Sequence, residues 1–292
     1  MSTLKELRTR IKVVKSTQKI TAAMKMVATA KLKRAQERAE LGRPYADSFQ
    51  TLLQRVLLTA RDCDIMSPLY KNTGDKTLII AIGTDRGLCG AYNTNIVREV
   101  KDVAKTITRE GGSVLVVGIG RKVHDVLKRE FVDHSVSFSA STVFEKSIPT
   151  LGHVEAIAAE IMEWLEAGII SKVSVVTGHL KSLISQPIKI SRLVPLLSDE
   201  TTDTYDEMPY TLFEPKPEKL IPQMLVHNFV IQLNRLFAEN SACEHAARMA
   251  AMDNASRNAR DMIQKLQLRY NQGRQAQITN ELIEIISGAE AA

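Results

Sequence analysis

The sequence has few of the features that mark secreted, metal-binding or membrane-spanning proteins. Its 292 residues include only three cysteines, Cys63, Cys89 and Cys243. Their odd number and wide spacing predict neither a disulfide framework nor a zinc site. No apolar run approaches the ~20 residues that cross a bilayer, and the charged N-terminus lacks a signal-peptide core. We therefore expect a soluble protein that meets a membrane only through partners.

Proline and glycine are absent from residues 1–41, and after Pro222 the only glycines are Gly273 and Gly288. Inside a helix proline costs about 3 kcal/mol and glycine about 1 kcal/mol relative to alanine. Two segments without helix breakers therefore flank a centre that is rich in them. This pattern predicts an N-terminal coiled-coil helix at 1–60, an α/β domain at 75–197, a polar, acidic linker at 198–220 and a C-terminal coiled-coil helix at 221–292.

The N-terminal segment carries a narrow apolar seam typical of a coiled coil. It starts at Leu4, Leu7, Ile11 and Val14. We expect it to continue, less cleanly, through Ile20, Ala23 or Met24, Val27 and Ala30. Gly42 and Pro44 are predicted to bend or interrupt the helix, and a second helical pattern follows through Phe49, Leu52, Leu53, Val56 and Leu57.

The C-terminal segment predicts a longer helix, from about Pro222 to about Gly288. At 1.5 Å per residue it would be on the order of 100 Å long, too long for the interior of a compact domain. We expect it to project and to pair antiparallel with the N-terminal helix. Its apolar ladder consists of Leu225, Phe229, Leu236, Cys243, Ala247, Ala250, Ile263, Leu266, Ile278, Leu282 and Ile285.

The centre alternates between short apolar runs and helical patterns. Strands are predicted at 77–83, 113–118, 173–177 and 188–194, and helices at 93–109, 121–129 and 154–167. Alternation of this kind indicates a mostly parallel sheet with crossover helices. The fold class predicted for the chain is thus α/β: a Rossmann-like central domain plus a long antiparallel coiled coil formed by the two termini.

Glycine-rich turns after the first two strands raise the alternative of a nucleotide-binding enzyme. Residues 84–90 (TDRGLCG) match neither GxGxxG nor the phosphate-binding P-loop. Gly118 and Gly120 begin a dinucleotide fingerprint, but Val123 stands where its third glycine belongs. Turn glycines in a structural domain are the better interpretation, so we expect no cofactor. The six histidines show no metal spacing, and a GxSxG nucleophile motif is absent, so no metal site and no catalytic residue are predicted.

Charge is concentrated at the N-terminus. Residues 1–40 contain eleven Lys and Arg but three Glu, a net charge of +8 in a chain whose total is +6. The surplus predicts an acidic partner, either a protein surface or nucleic acid. A basic coiled-coil nucleic-acid-binding protein is therefore a second alternative. The first 44 residues contain no aromatic side chain, which disfavours it because single-stranded nucleic acid is commonly bound by stacking.

Three blocks of the sequence stand out: residues 8–31 (RTRIKVVKSTQKITAAMKMVATAK), 84–93 (TDRGLCGAYN) and 278–291 (ITNELIEIISGAEA). They resemble, in turn, the N-terminal helix, the central loop and the C-terminal signature of the gamma subunit family of F-type ATP synthases. The family's central loop more commonly begins with Ser than with Thr84. The blocks lie in the family's order and span nearly the whole chain, whereas residues 100–220 add little.

The resemblance implies a non-catalytic rotor. In this family the terminal helices run up the bore of a hexamer of alpha and beta subunits, and the α/β domain lies against the epsilon subunit and the membrane c-ring. Rotation of the ring then drives the catalytic beta subunits through their conformations. No nucleic acid is implied. The positions that resemble subunit contacts are Met24, Arg248, Arg274, Gln275 and Thr279 for beta, and Phe213 and Glu214 near the c-ring.

The resemblance also implies a location. Because the chain begins with Met1 and shows no transit peptide, we expect a bacterial protein, peripheral on the cytoplasmic side of the inner membrane. A mature mitochondrial form on the matrix side is the alternative.

Overall fold

The computed structural model describes residues 4–59, 67–70, 74–132, 138, 149–183, 185–196 and 214–290. Of the residues singled out in the sequence, Cys63 and Phe213 lie outside this part, as does most of the linker predicted at 198–220. The helices are α1 (Leu4–Thr59), α2 (Tyr92–Arg109), α3 (Arg121–Glu130), α4 (Leu151–Glu166) and α5 (Pro217–Glu290). The strands are β1 (Lys76–Ile82), β2 (Ser113–Ile119), β3 (Lys172–Gly178) and β4 (Ile188–Val194).

Both terminal helices are continuous over their whole length. Helix α1 runs for 56 residues and includes Pro44, so the expected interruption at Gly42 and Pro44 is wrong. Proline removes a single backbone hydrogen bond there, and the residues on both sides keep burying one face, with Ala46 only 2% exposed. Helix α5 spans 74 residues and starts at Pro217 rather than at Pro222. Pro217 occupies the first helical position, where a missing N–H costs little.

The chain divides into two compact units. One comprises residues 1–29 and 248–292, and the other comprises residues 30–247. Both boundaries fall inside a helix, in α1 and in α5.

The first unit is an antiparallel pair of helices. The Nζ of Lys25 lies 2.6 Å from Oδ1 of Asp253, and a Cβ added to Gly273 would lie 3.1 Å from Cδ2 of Leu4. The two contacts are separated by 21 residues on α1 and 20 residues on α5, so the helices run alongside each other for about 30 Å. The antiparallel coiled coil predicted from the sequence is present in this unit.

The seam of α1 keeps a strict heptad spacing after Val14, which corrects the continuation predicted from the sequence. The side chains turned toward the partner helix are Gln18, Thr21, Lys25 and Ala28. Ile20 and Val27, which the sequence assigned to the seam, are each 57% exposed. The facing positions on α5 follow the same 4-3 spacing and are Met252, Ser256, Ala259, Ile263, Leu266, Tyr270 and Gly273.

The second unit contains a four-stranded sheet with the order β2-β1-β3-β4. Strand β1 pairs in parallel with both β2 and β3, and β4 is antiparallel to β3. In register, Leu78 lies between Leu115 and Val173. The mostly parallel sheet predicted from the sequence is confirmed.

Helices cover both faces of this sheet, because successive side chains of a strand point to opposite sides. On one face Leu78 and Ile80 belong to a core cluster with Ile157 and Ile161 of α4 and Phe229 of α5. On the other face Ile79 and Ala81 share a cluster with residues of α2 and α3. The continuous apolar strands are those of a sheet buried on both sides.

Candidate functional site

The carboxyl ends of β1 and β3 mark the place where α/β sheets of this kind hold their ligands. The chain leaves β1 toward β2 on one side and later reaches β3 on the other side, so the strand order reverses between β1 and β3. Ligands of open α/β sheets bind in the crevice at such a switch point. Here the crevice lies between Gly83, which follows β1, and Thr177 and Gly178 at the end of β3.

The chain fills this crevice with its own α5. Asn240, on α5, is 3% exposed. Its Nδ2 donates a hydrogen bond to the carbonyl oxygen of Gly83 at 3.1 Å. Its Oδ1 accepts hydrogen bonds from the hydroxyl of Tyr92 at 2.8 Å and the hydroxyl of Thr177 at 3.2 Å. A side chain of α5 thus makes the polar contacts that a ligand makes in a nucleotide-binding sheet.

Tyr92 closes the crevice from the side of α2. Its hydroxyl oxygen also accepts the N–H of Gly178 at 3.2 Å, and burial raises the pKa of Tyr92 well above its usual range. The phenol therefore stays protonated and serves as the donor to Asn240. Gly178 has no room for a side chain, since an added Cβ would lie 2.7 Å from Cε2 of Tyr92 and 3.0 Å from Cβ of Cys243.

The thiol nearest to this crevice is unsuited to catalysis. Cys243 is fully buried and unpaired. Burial, with a smaller contribution from the charge of Glu239, raises the pKa of Cys243 to about 12. Because the thiolate is the nucleophilic form of cysteine, this residue is inert near neutral pH.

The loop at residues 84–93 is held by its own side chains. The hydroxyl of Thr84 donates to the carbonyl oxygen of Arg86 at 2.8 Å. The side-chain amide of Asn93 donates to Oγ1 of Thr84 at 2.8 Å and accepts the backbone N–H of Thr84 at 3.2 Å. The first residue of α2 is the neighbouring Tyr92, so this loop also holds the crevice tyrosine in place.

In the second glycine-rich turn, at Gly118 and Gly120, a carboxylate of the protein itself lies where a phosphate would bind at the start of α3. Oδ1 of Asp85 accepts the backbone N–H of Arg121, the first residue of α3, at 2.9 Å. A helix N-terminus attracts negative charge, and here Asp85 supplies it. Gly120, at φ 95°, packs so closely on the first turn that an added Cβ would lie 2.9 Å from the backbone of Gly83. Neither turn therefore offers a phosphate cradle, and the nucleotide-binding alternative is not supported.

The predicted subunit-contact residues lie at separate places. Met24 and Arg248 are half-buried, in the two helices of the first unit. Arg274, Gln275 and Thr279 are exposed on successive turns of α5, and the hydroxyl of Thr279 donates to the carbonyl oxygen of Gln275 at 2.9 Å. Arg248 and Arg274 are 26 residues apart on one helix, about 39 Å. The structure therefore does not gather these residues into a single site.

Glu214, predicted near the c-ring, is exposed just before α5, whereas Phe213 lies outside the described residues. The described part of α1 begins at Leu4, which lies beside Gly273 of α5. Beyond Gly273 the last turns of α5 present large apolar side chains to solvent. Four of them are between 53% and 68% exposed: Leu282, Ile283, Ile285 and Ile286.

Most of the basic side chains near the N-terminus are exposed to solvent. The exposed cations of α1 in the first unit are Lys5, Arg8, Arg10, Lys12, Lys15 and Lys19. Lys25 differs from them because it is half-buried in the seam and paired with Asp253. A row of exposed cations on one helix suits an acidic protein surface.

Two features are not found in the part of the chain that the structure describes. Among its helices, none has the length and apolar character that a bilayer crossing requires. Over the same residues, no three His, Cys, Asp or Glu side chains are grouped closely enough to hold a metal ion.

Comparison with known proteins places these features in one family. The family model described as ATP synthase matches residues 3–292. The ATP synthase gamma chain of Granulibacter bethesdensis is 43% identical, and that of Pelagibacter ubique is 40% identical, each alignment covering 100% of both chains. Among solved structures, the central stalk and c-ring of Tetrahymena thermophila mitochondrial ATP synthase contains a chain with a TM-score of 0.62 and 28% identity, covering 81% of this chain and 99% of that one. A chain of Euglena gracilis mitochondrial ATP synthase, at 20% identity and a TM-score of 0.57, shares the fold and covers 92% and 95%.

A switch-point crevice filled by the chain's own helix, together with a two-helix coiled coil, is typical of a structural subunit. The matches are specific enough to go further, because they extend over the whole length of both partners. The chain belongs to the ATP synthase gamma-chain family, and it is a central-stalk subunit without a catalytic site of its own. The resemblance carried by the three sequence blocks is thereby confirmed.

Sequence reasoning missed three residues that the structure brings into this description: Tyr92, Asn240 and Asp85. Asn240 had a readable signal, because Leu236, Asn240, Cys243 and Ala247 follow 4-3-4 spacing and only Asn240 is polar. A polar residue on an apolar ladder indicates a specific buried partner. Asp85 had no comparable signal, since its hydrogen-bond partner, Arg121, lies 36 residues further along the chain.

Proposed function

We propose that this chain is the rotor shaft of a proton-translocating F-type ATP synthase and couples rotation of the c-ring to conformational cycling of the catalytic beta subunits. The observation that carries the proposal is the antiparallel pairing of the first and last helices, fixed by Lys25–Asp253 at one level and Leu4–Gly273 at another. A slender pair of this kind suits the bore of a ring, and full-length identity with gamma chains supports the same role.

The proposed partners are the alpha and beta subunits around the coiled coil. The epsilon subunit and the c-ring are proposed to contact the second unit, residues 30–247, which is called the α/β unit below. The similar solved chains come from a central stalk with its c-ring and from an assembly of OSCP, F1 and c-ring. The exposed cations of α1 would face acidic loops of beta, which accounts for the charge without nucleic acid.

Five residues are proposed to contact beta. Arg274, Gln275 and Thr279 are exposed polar groups on a helix whose next turns are apolar, so they can hydrogen-bond a beta loop in one conformation and release it in another. Met24 and Arg248 are proposed to act at the other level of the coiled coil. Contacts that differ between beta conformations supply the coupling free energy, because a ligand shifts an equilibrium only by its differential affinity for the two states.

The apolar end of α5 is proposed to turn in an apolar sleeve of the hexamer. Ile285 is 68% exposed and Leu282 53% exposed, which is unfavourable in water. Apolar contact is non-directional, so such a sleeve centres the shaft without fixing its angle.

At the other end, Phe213 and Glu214 are proposed to lie near the c-ring. With the relatives in bacteria, the proposed location is the cytoplasmic side of a bacterial inner membrane, reached through partners. A mitochondrial inner membrane, matrix side, is the alternative.

The test is reconstitution. Alpha, beta and epsilon subunits of a close relative are co-expressed with and without this chain, and the purified complex is assayed for ATP hydrolysis and, with the membrane sector in vesicles, for ATP-driven proton uptake. We expect a stable complex that pumps protons only when the chain is present. Proton uptake without the chain, or hydrolysis that never drives proton uptake in its presence, would contradict the proposal.

A further inference from the structure

Helix α5 is attached to its α/β unit mainly by apolar contacts. Leu225, Phe229, Leu233 and Phe237 are each no more than 2% exposed and belong to the core cluster of the sheet. Such contacts are strong but non-directional, so a helix held by them alone resists separation better than it resists small rotations about its axis. Hydrogen bonds of fixed geometry are needed to set its angle.

Asn240 supplies three such bonds from a single position. Its amide contacts three separate elements: the turn after β1 through Gly83, the end of β3 through Thr177, and the start of α2 through Tyr92. Both lone pairs of Oδ1 and one proton of Nδ2 are used. The three bonds diverge, so no rotation or translation of α5 preserves them all.

We propose that Asn240 is a positioning residue that fixes the rotational and axial register of α5 on the sheet, so that torque passes between the α/β unit and the shaft without slip. This inference rests on the rotor function proposed above. One step along the helix turns a side chain by 100° and moves it 1.5 Å. The buried carbonyl of Gly83 would then lose its donor, and the buried O–H of Tyr92 would lose its acceptor. Buried polar groups without partners are penalised, so the network rejects every neighbouring register.

The same network occupies the switch point at which open α/β sheets bind their ligands. The donors and acceptors that would recognise a ligand are already used by α5 at Gly83, Thr177 and Tyr92. A single polar group in an apolar seam is the best-attested way in which proteins fix the register of helices.

The test measures torsional stiffness in the assembled enzyme. The hexamer is fixed to a surface and arrested with a non-hydrolysable nucleotide. A bead is attached to the α/β unit through Glu166→Cys in a Cys63→Ser background, since Glu166 is exposed and Cys89 and Cys243 are buried. The variance of the bead angle reports compliance. We expect Asn240→Leu to raise this variance at least twofold, and Tyr92→Phe and Thr177→Val to raise it by smaller amounts.

Leu127→Ala is the matched control, because Leu127 is a buried core residue of α3 that makes none of the three bonds. It should lower Tm while leaving the angular variance unchanged. If Asn240→Leu prevents assembly, Tyr92→Phe decides, because it deletes one hydroxyl and keeps the ring.

The outcomes separate the two proposals. Wild-type enzyme that neither rotates nor pumps would overturn the rotor function itself. A wild type that pumps, with variants whose angular variance equals that of wild type, would overturn only the role of Asn240. Equal increases for Leu127→Ala and the network variants would also overturn it, since general loosening of the unit would then explain the effect.

Discussion

Lys25 and Asp253 face each other across the coiled coil, with Nζ and Oδ1 2.6 Å apart. The lysine occupies a seam position that a coiled coil ordinarily gives to an apolar side chain. The same carboxylate accepts a hydrogen bond from Arg257, one turn further along α5. Asp253 therefore binds one cation from each helix, and its bond to Lys25 fixes which residues of α1 and α5 lie opposite each other.

The pair predicts a pH dependence of stability. The hydrogen bond from Lys25, and then that from Arg257, holds the pKa of Asp253 below its ordinary value. A carboxyl group with a lowered folded-state pKa stabilises the protein above the unfolded-state pKa, about 3.9 for Asp, and this contribution is lost as pH falls through the folded-state pKa. Asp253→Asn should therefore destabilise the chain at pH 6, and its difference from wild type should vanish in acid.

Urea unfolding followed by circular dichroism between pH 6 and pH 2 checks this expectation. Asp261→Asn is the control, because Asp261 is an exposed residue of the same helix. It should show little difference from wild type across the range. A constant difference between Asp253→Asn and wild type at every pH would show that the carboxylate charge is irrelevant.

The sequence predicts the seam of α1 correctly only where the seam residues are apolar. The first four seam positions, Leu4 to Val14, are apolar and were predicted correctly. After Val14 the apolar side chains shift to another face, at Ile20 and Val27, while the seam continues through Gln18, Thr21 and Lys25. The prediction from the sequence followed the most hydrophobic side chains. In the structure the seam keeps its heptad spacing through Lys25, because Asp253 of the partner helix lies opposite this lysine.

In the α/β unit, too, the sequence predicts the local elements but not the contacts between distant residues. Its strands and helices were predicted within a few residues, because buried strands and breaker-bounded helices have strong local signals. The network around Asn240 was not predicted, because it joins residues separated by 63 to 157 positions along the chain. Contacts of that kind depend on the folded topology and have no local period to reveal them.

Asp85 gives a prediction about the turn before α3. Asp85→Ala removes the acceptor for the N–H of Arg121 and should cost about 1 kcal/mol in the free energy of unfolding, as for other N-terminal caps. Asp85→Ser, which keeps a short acceptor, should recover part of the loss. Urea unfolding of the three proteins measures both effects. Equal stability of Asp85→Ala and wild type would mean that water replaces the carboxylate without cost.

Arg274 and Gln275 give a prediction about assembly. Both are exposed, and exposed substitutions usually change stability by less than about 0.5 kcal/mol. The double variant Arg274→Ala, Gln275→Ala should therefore fold normally. It should weaken binding to the alpha–beta hexamer tenfold or more, because hydrogen bonds to charged groups are worth about 1.5–3 kcal/mol.

Circular dichroism reports the fold of this double variant, and titration with the hexamer reports its affinity. Asn271→Ala with Gln272→Ala is the matched control, because these residues are exposed on the adjoining turn. Equal loss of affinity for both pairs would assign the effect to the helix surface in general. No loss for Arg274 and Gln275 would remove them from the interface.

The last prediction concerns the continuity of α5. Ala255 lies in the middle of the helix, half-buried in the first unit. Ala255→Pro removes the hydrogen bond to the carbonyl of Ala251 and costs about 3 kcal/mol, with a kink. In the assembled enzyme the kinked shaft should still permit some ATP hydrolysis but drive little proton uptake, so the ratio of the two should fall severalfold. Ala255→Ser is the control, since it keeps the backbone N–H and should leave the ratio near that of wild type. A proline variant that pumps protons at the wild-type ratio would mean that an unbroken α5 at this level is not required for coupling.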